Sequence, residues 1–218
     1  MNRAGWTNLR FPSLYTVPSG IVMWGGGGGG GGPKVPPGTY TVKVSSGSWS
    51  ETQTFRLHAD PRFDPPMTEA EGQEQLRLAN EVGGMIATLY EELARLRDAK
   101  RQATELAGKA PANSPVGPAA RTLTDKLVAA ESELTQIQGE GGQDALNFPG
   151  RLDNQLIVLY GAISGPDRRL GSPVHERFKD LKPVADKMLA QARAALTTDI
   201  QAFNAVATKA GMQPISVK

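Results

Sequence analysis

The apolar positions of this chain follow two periods. Between Gly38 and Leu57 they alternate. In "GTYTVKV" Tyr40, Val42 and Val44 take one side and Thr39, Thr41 and Lys43 the other. "SSGS" turns the chain at Gly47, and the return run "WSETQTFRLHAD" places Trp49, Phe55 and Leu57 on one face. That is a β-hairpin pattern with suitable turn residues. Two earlier strands are predicted, "WTNLRF" from Trp6 to Phe11 and "GIVMW" from Gly20 to Trp24. "VPPG" and "DPRFDPP" are stiff connectors, because proline fixes φ and removes a donor.

The period changes near Pro65-Pro66, where Ala, Leu, Glu, Gln, Lys and Arg take over. Thr68-Glu69-Ala70-Glu71 is a capping box that opens a helix over about 68–108. Val82, Ile86, Leu89, Leu93 and Leu96 step by four and three along it, the spacing of a bundle helix. Gly83-Gly84 weakens it by ~1 kcal/mol per glycine relative to Ala, and a close helix crossing there would explain both. A second helix over 119–138 carries Leu123, Leu127, Ala130, Leu134 and Ile137, and a short one follows over 151–164. The last, over 173–210, turns Phe178, Leu181, Met188, Leu196, Ile200 and Phe203 inward, with Pro183 expected to kink or break it. The expected fold class is α+β in two modules: a β module over 1–66, then an antiparallel three-to-four-helix bundle over 67–218.

Four short strands are too few for a closed sandwich, which uses about seven. A single sheet with one apolar face must cover that face with the helical module, with another chain, or with an N-terminal portion lost from this one.

Composition narrows the chemistry. A chain of 218 residues with 39% hydrophobic and 21% charged residues is foldable and forms one or two domains. Lys and Arg (24) are interleaved with Asp and Glu (22), so the net charge of +2 announces no nucleic-acid face. There is no cysteine, which excludes disulfides, thiolate metal sites and cysteine nucleophiles. "MNRAGWTNLRFPS" lacks the apolar core of a signal peptide. The longest apolar run, Leu156 to Ile163, falls far short of the ~20 residues of a membrane span.

The glycine run Gly25–Gly32 is not a phosphate loop. It ends Gly32-Pro33-Lys34-Val35, with no Ser or Thr after the lysine and no helix to follow. Strand signals on both sides make it a long loop inside the β module rather than a free interdomain linker. His58 and His175 stand alone and read as surface residues. Glu91-Glu92 and Glu131/Glu133 read as solvent-facing charged positions, not as an acid/base pair. "RLRDAKRQ", Arg95 to Gln102, is a basic patch: a solvated helix face, or a docking surface for an acidic partner. Trp6 and Trp24 read as core fillers or, less often, as sugar-stacking platforms. No hydrolase, metalloprotease or calcium-loop motif occurs. The sequence therefore predicts no catalytic residue, no metal ligand and no cofactor.

Several stretches together carry a resemblance. "NRAGWTNLRFPS", "GPKVPPGTYTVKV", "TQTFRLHADPRF", "NFPGRLDNQLIVLYGAI" and the closing "AGMQPI" resemble the C-terminal region of large exported bacterial sortilin-like proteins with BNR-type repeats, often labelled glycosyl hydrolases. The resemblance implies that the β module is a partial immunoglobulin-like sandwich and that the chain works outside the cytoplasm. The family's propellers and Asp-boxes are absent, so no family site residue carries over. The aromatic residue expected after Asn2-Arg3 and the Asp expected after Trp6 are missing too.

The expected function is a non-catalytic structural or interaction subunit, with no nucleic-acid role. It would dock on other protein subunits of a larger extracytoplasmic or membrane-extrinsic assembly, such as a respiratory or photosynthetic complex. The candidate partner contacts are Trp6, Trp24, Gly25, Gly32, Tyr40, Arg95, Arg97 and Arg101. The alternative is an accessory or fragment domain of a carbohydrate-active enzyme, with Trp6 or Trp24 stacking on sugar.

Overall fold

A computed structural model describes residues 9–22, 31–139 and 147–217. Among them an antiparallel two-stranded sheet precedes four helical stretches. Strands β1 (Gly38–Ser46) and β2 (Trp49–Leu57) pair from Gly38↔Leu57 to Ser46↔Trp49. The two-residue turn has Gly47 at φ 59 and no positive φ at Ser48, the type II′ arrangement that glycine at the first central position favours. The chain then forms α1 (Glu69–Lys109), α2 (Val116–Leu134), α3 (Leu152–Ser164), α4 (Ser172–Ala194) and α5 (Ile200–Lys209). The π turn Ala195–Asp199 joins the last two into one run.

The hairpin is thus the formed part of the expected β module. The described part of the first predicted strand, Leu9 to Phe11, makes only an isolated bridge, Arg10↔Lys34. Phe11 N–H donates to the Pro33 carbonyl and Val35 N–H to the Leu9 carbonyl. The described part of the second, Gly20 to Val22, is not a strand. Gly20 turns at φ 73, and the Val22 carbonyl accepts Asn154 Nδ2 instead of a ladder bond. Trp6, Trp24 and Gly25 lie outside the described residues.

The helices follow the heptad pattern. Val82, Ile86, Leu89, Leu93 and Leu96 are all buried, facing Leu123, Leu127 and Leu134 of α2, Leu156 and Ile163 of α3, and Leu181, Leu196 and Phe203 of the last run. The Thr68 capping box is formed in both directions. α2 starts early, at Val116, with the Val116 N–H capped by Ser114 Oγ. It ends early as well. Thr135 is extended, its hydroxyl donates to the Asp153 carboxylate, and Gln136 Nε2 donates to the Pro149 carbonyl. Ile137, expected on the inner face, therefore lies beyond the helix and is exposed.

Pro183 does not break α4. Pro183 and Lys179 are both on the exposed side, so the carbonyl that the missing N–H leaves free is not sealed in the core. The irregularity sits further on, in the π turn, where the Thr197 hydroxyl donates back to the Arg193 carbonyl. The glycine pair in α1 also has another cause than a helix crossing. A Cβ on Gly83 would lie 2.5 Å from Leu14 Cδ1, whereas one on Gly84 meets nothing within 4 Å. What approaches α1 is the segment that carries Leu14, Tyr15, Val17 and Ile21 onto the helical core. The Tyr15 ring stands edge-on to Tyr160 at 5.4 Å and tilted to Tyr90 at 6.4 Å. The core therefore takes side chains from before Pro65 as well as after it.

A candidate protein-docking surface

The hairpin's position follows from its root. Pro36 and Pro37 press on α1 at Gly72, where an added Cβ would lie 2.8 Å from Pro37 Cδ. Lys34 pairs with Asp167 at 2.7 Å, and Gln75 Nε2 donates to the Pro166 carbonyl at 3.0 Å. On the return side, Asp60 accepts Arg62 N–H and Nε–H, and that pairing draws its carboxyl down to about 2. Gly38 and Leu57 are buried where the strands leave the bundle, and of the other strand residues only Tyr40 is even half-buried.

Beyond the root the hairpin is exposed, and its two faces differ. The pairing register puts Tyr40 beside Phe55, Val42 beside Gln53, Val44 beside Glu51 and Ser46 beside Trp49 on one face. The other face carries Thr39, Thr41, Lys43 and Ser45 beside Arg56, Thr54, Thr52 and Ser50. Tyr40 stacks on Phe55 at 5.9 Å and its hydroxyl donates to the Pro36 carbonyl at 2.8 Å, which anchors the apolar face to the root. Burial and then the nearby Glu69 carboxylate push the Tyr40 hydroxyl up. Val42, Val44, Trp49 and Phe55 are 45%, 55%, 53% and 41% exposed. The helical module does not cover this sheet. An open cleft of about 850 Å³ lies at the root, lined by Arg56 and Leu57 of β2 and by Pro37, Pro61, Pro66 and Met67 just before α1.

The other candidate contacts fall elsewhere. Gly32 is buried: an added Cβ would lie 2.0 Å from the Phe11 and Pro12 carbonyl oxygens, so glycine there permits the Leu9–Phe11 to Pro33–Val35 pairing. The basic stretch of α1 is largely satisfied within the chain. Arg95 pairs with Glu92 at 2.8 Å, Arg97 with Glu131 at 2.7 Å, and the exposed Arg101 with Glu105 at 2.8 Å. Glu92 and Glu131, expected to face solvent, are buried, because each ties two helices together. Glu92 also takes Arg193 of α4, and Glu131 of α2 takes Lys100 of α1 as well as Arg97. Burial alone would raise the Glu131 carboxyl, but the hydrogen bonds from Lys100 and Arg97 outweigh it and hold the group below its usual range.

No family model, curated protein or solved structure matches this chain. Its own chemistry is therefore the guide. Among the described residues no group of His, Asp and Glu is placed to hold a metal, and no helix is long and apolar enough to cross a membrane. His58 and His175 are both exposed. The most deeply buried carboxylate, Asp153, sits in the core. Burial raises its pKa, although the Thr135 hydroxyl and the Asn154 N–H both donate to it. Tyr90, beside it, has a buried hydroxyl with no partner, and its pKa is raised by burial and by Asp153. Tyr15 packs on the Tyr90 ring, and the Thr135–Asp153 hydrogen bond ties the end of α2 to α3.

Sequence reasoning put Tyr40, Val42 and Val44 on one side of the first strand and Trp49, Phe55 and Leu57 on one face of the second, but among them singled out only Tyr40 as a contact; the register joins the two sets into one face. The signal for the valines was present in the clean alternation of β1, whereas in β2 the polar Glu51 and Gln53 stand between Trp49 and Phe55.

Proposed function

We propose that this protein is a non-catalytic interaction subunit whose hairpin docks on another protein of a larger assembly. The observation that carries the reading is the exposed apolar face of β1 and β2, held at a fixed root beside a core that closes without it. Apolar patches of this kind mark interaction sites on otherwise polar surfaces. The extracytoplasmic, membrane-peripheral setting, the kinship with sortilin-like tails and the partial immunoglobulin-like character of the β module belong to the same proposal. In that setting the hairpin supplies strands that a partner completes into a sandwich.

The test is site-specific photo-cross-linking of the full chain in its native source. A photoreactive residue at Val44 or Trp49 should give one discrete cross-linked product, and one at Thr41 or Thr52 on the opposite face should give little. Val44→Lys should abolish the product while leaving the melting temperature within about 2 °C, because exposed substitutions change stability by ~0.5 kcal/mol or less. Equal cross-linking from both faces, or none from either, would refute the reading.

A further inference from the structure

Resting on the docking reading, we infer that the partner is a β-sheet protein whose edge strand pairs with the outer edge of β2 and presents a cation to Glu51. In a two-residue hairpin the closing pair is hydrogen-bonded and the pairs alternate from there. With Ser46↔Trp49 closing the turn, the N–H groups of Ser50, Thr52 and Thr54 point away from β1. β2 contains no proline, and among the described residues no strand lies on its outer side. This is a nine-residue template for strand addition, about 30 Å long.

Charge decides what kind of strand fits. Glu51 is the one ionised side chain on the apolar face, since Lys43 and Arg56 lie on the other. Gln53 Nε2 donates to it at 2.9 Å, but it has no ion-pair partner among the described residues. Covering the face with purely apolar surface would bury an unpaired carboxylate. A strand with Lys or Arg directly across from Glu51 removes that cost, and opposite charges are a favourable cross-strand pair. A second copy of this chain cannot supply the cation, because its own apolar face has none. Area argues the same way. The four exposed side chains leave on the order of 400 Å² of apolar surface, so two apposed hairpins would bury about 800 Å², short of the ~1,200 Å² at which stable interfaces begin. A partner sheet joined at the edge adds main-chain pairing and reaches the cleft at the root. Glu51 then acts as a selectivity element, admitting a basic strand and discouraging self-association.

The test uses the full chain, isotope-labelled, and two synthetic nine-residue peptides. Both alternate valine and threonine; one has a lysine among the valines, its twin a glutamate. Titration with the lysine peptide should move the amide signals of Ser50, Thr52 and Thr54 to saturation, with affinity at least about tenfold above the glutamate peptide. Glu51→Lys should reverse that preference. Thr52→Pro, which removes an outward N–H and leaves the inner ladder intact, should cut affinity about tenfold while the Tyr40–Phe55 contact persists. Three results would overturn the inference. One is movement confined to the Val42 and Val44 methyl groups with the three amides unchanged, which leaves face docking standing without strand addition. Another is no response at millimolar lysine peptide. The third is concentration-dependent movement of those amides without peptide, which assigns the edge to a second copy. Failure of the docking reading itself shows separately, as equal or absent cross-linking from the two hairpin faces.

Discussion

Gly83 and Gly84 are neighbours in one helix with opposite surroundings, and alanine at each separates backbone propensity from packing. Each substitution gains ~1 kcal/mol of helix propensity. At Gly84 the new methyl enters open solvent, so Gly84→Ala should stabilise the protein by about that amount. At Gly83 the methyl would lie 2.5 Å from Leu14 Cδ1, 3.1 Å from its Cβ and 3.3 Å from its Cγ. Rotating the Leu14 side chain relieves the first contact but not the second, so the segment carrying Leu14 must shift. Overpacking of that kind costs ~1–3 kcal/mol, which makes Gly83→Ala neutral to destabilising by about 2 kcal/mol. The propensity gain cancels between the two variants, leaving a gap near 2 kcal/mol, or roughly 6 °C in Tm for a chain of this length. Urea unfolding followed by circular dichroism measures the gap. Leu14→Ala in the Gly83→Ala background should recover part of the loss, giving a coupling of about 1 kcal/mol in a double-mutant cycle. Equal effects at the two glycines, or a coupling of zero, would refute the close approach of the Leu14 segment to α1.

Four further outcomes follow from the same contacts. Glu131→Gln should destabilise by about 2 kcal/mol at pH 7, less than for a fully buried pair because Arg97 and Lys100 stay partly hydrated. Its lowered folded-state pKa gives stability that is complete above the ordinary carboxylate range and lost as pH falls through the folded value, so the variant should show a shallower acid limb in urea midpoints. Asp153 has the opposite sign: a raised folded pKa means the folded state holds the proton more tightly, so wild type gains stability as pH falls through that value and Asp153→Asn should lack the gain. Tyr15→Ala should cost ~2–3 kcal/mol by calorimetry through loss of its contacts with Tyr90 and Tyr160. Replacing residues 40–55 with a Gly-Ser link between the paired positions 39 and 56 should leave the helical unfolding transition within about 1 kcal/mol of wild type.

The helices and the hairpin were legible because each is a local pattern. Val82 through Leu96 repeat at heptad spacing, Thr68 and Glu71 form a box, and Gly47 sits where a two-residue turn needs it. What escaped was set by distant partners. Gly83 is explained by Leu14, Gly72 by Pro36 and Pro37, and the early end of α2 by Asp153 and Pro149, none of which lies within ten residues. Glu92 and Glu131 look like surface charges in one dimension. Only the arrival of Arg193 on one and of Arg97 and Lys100 on the other makes their burial affordable. The surface shows the same limit: the arginines stand out as a run, yet each has its acid, while the alternating valines beside Trp49 have no covering side chains among the described residues.

That contrast bears on the docking reading. A foldable chain puts its apolar side chains where its own burial uses them, and the bundle does so for most of α1 through α5, with Val158 and Val184 as single exposed exceptions, together with Leu14, Tyr15, Val17 and Ile21. The hairpin departs from this only past its root. Gly38 and Leu57 are buried, Tyr40 is bonded to Pro36, and then four large apolar residues face outward on a strand pair that isolated would be marginal in water. The root residues fix where that face points, through Pro37 on Gly72 and Lys34 on Asp167. A projection that is rigid at its base, alternating along its length and apolar on one side meets the geometric needs of sheet pairing, and among the described residues no other strand takes it up.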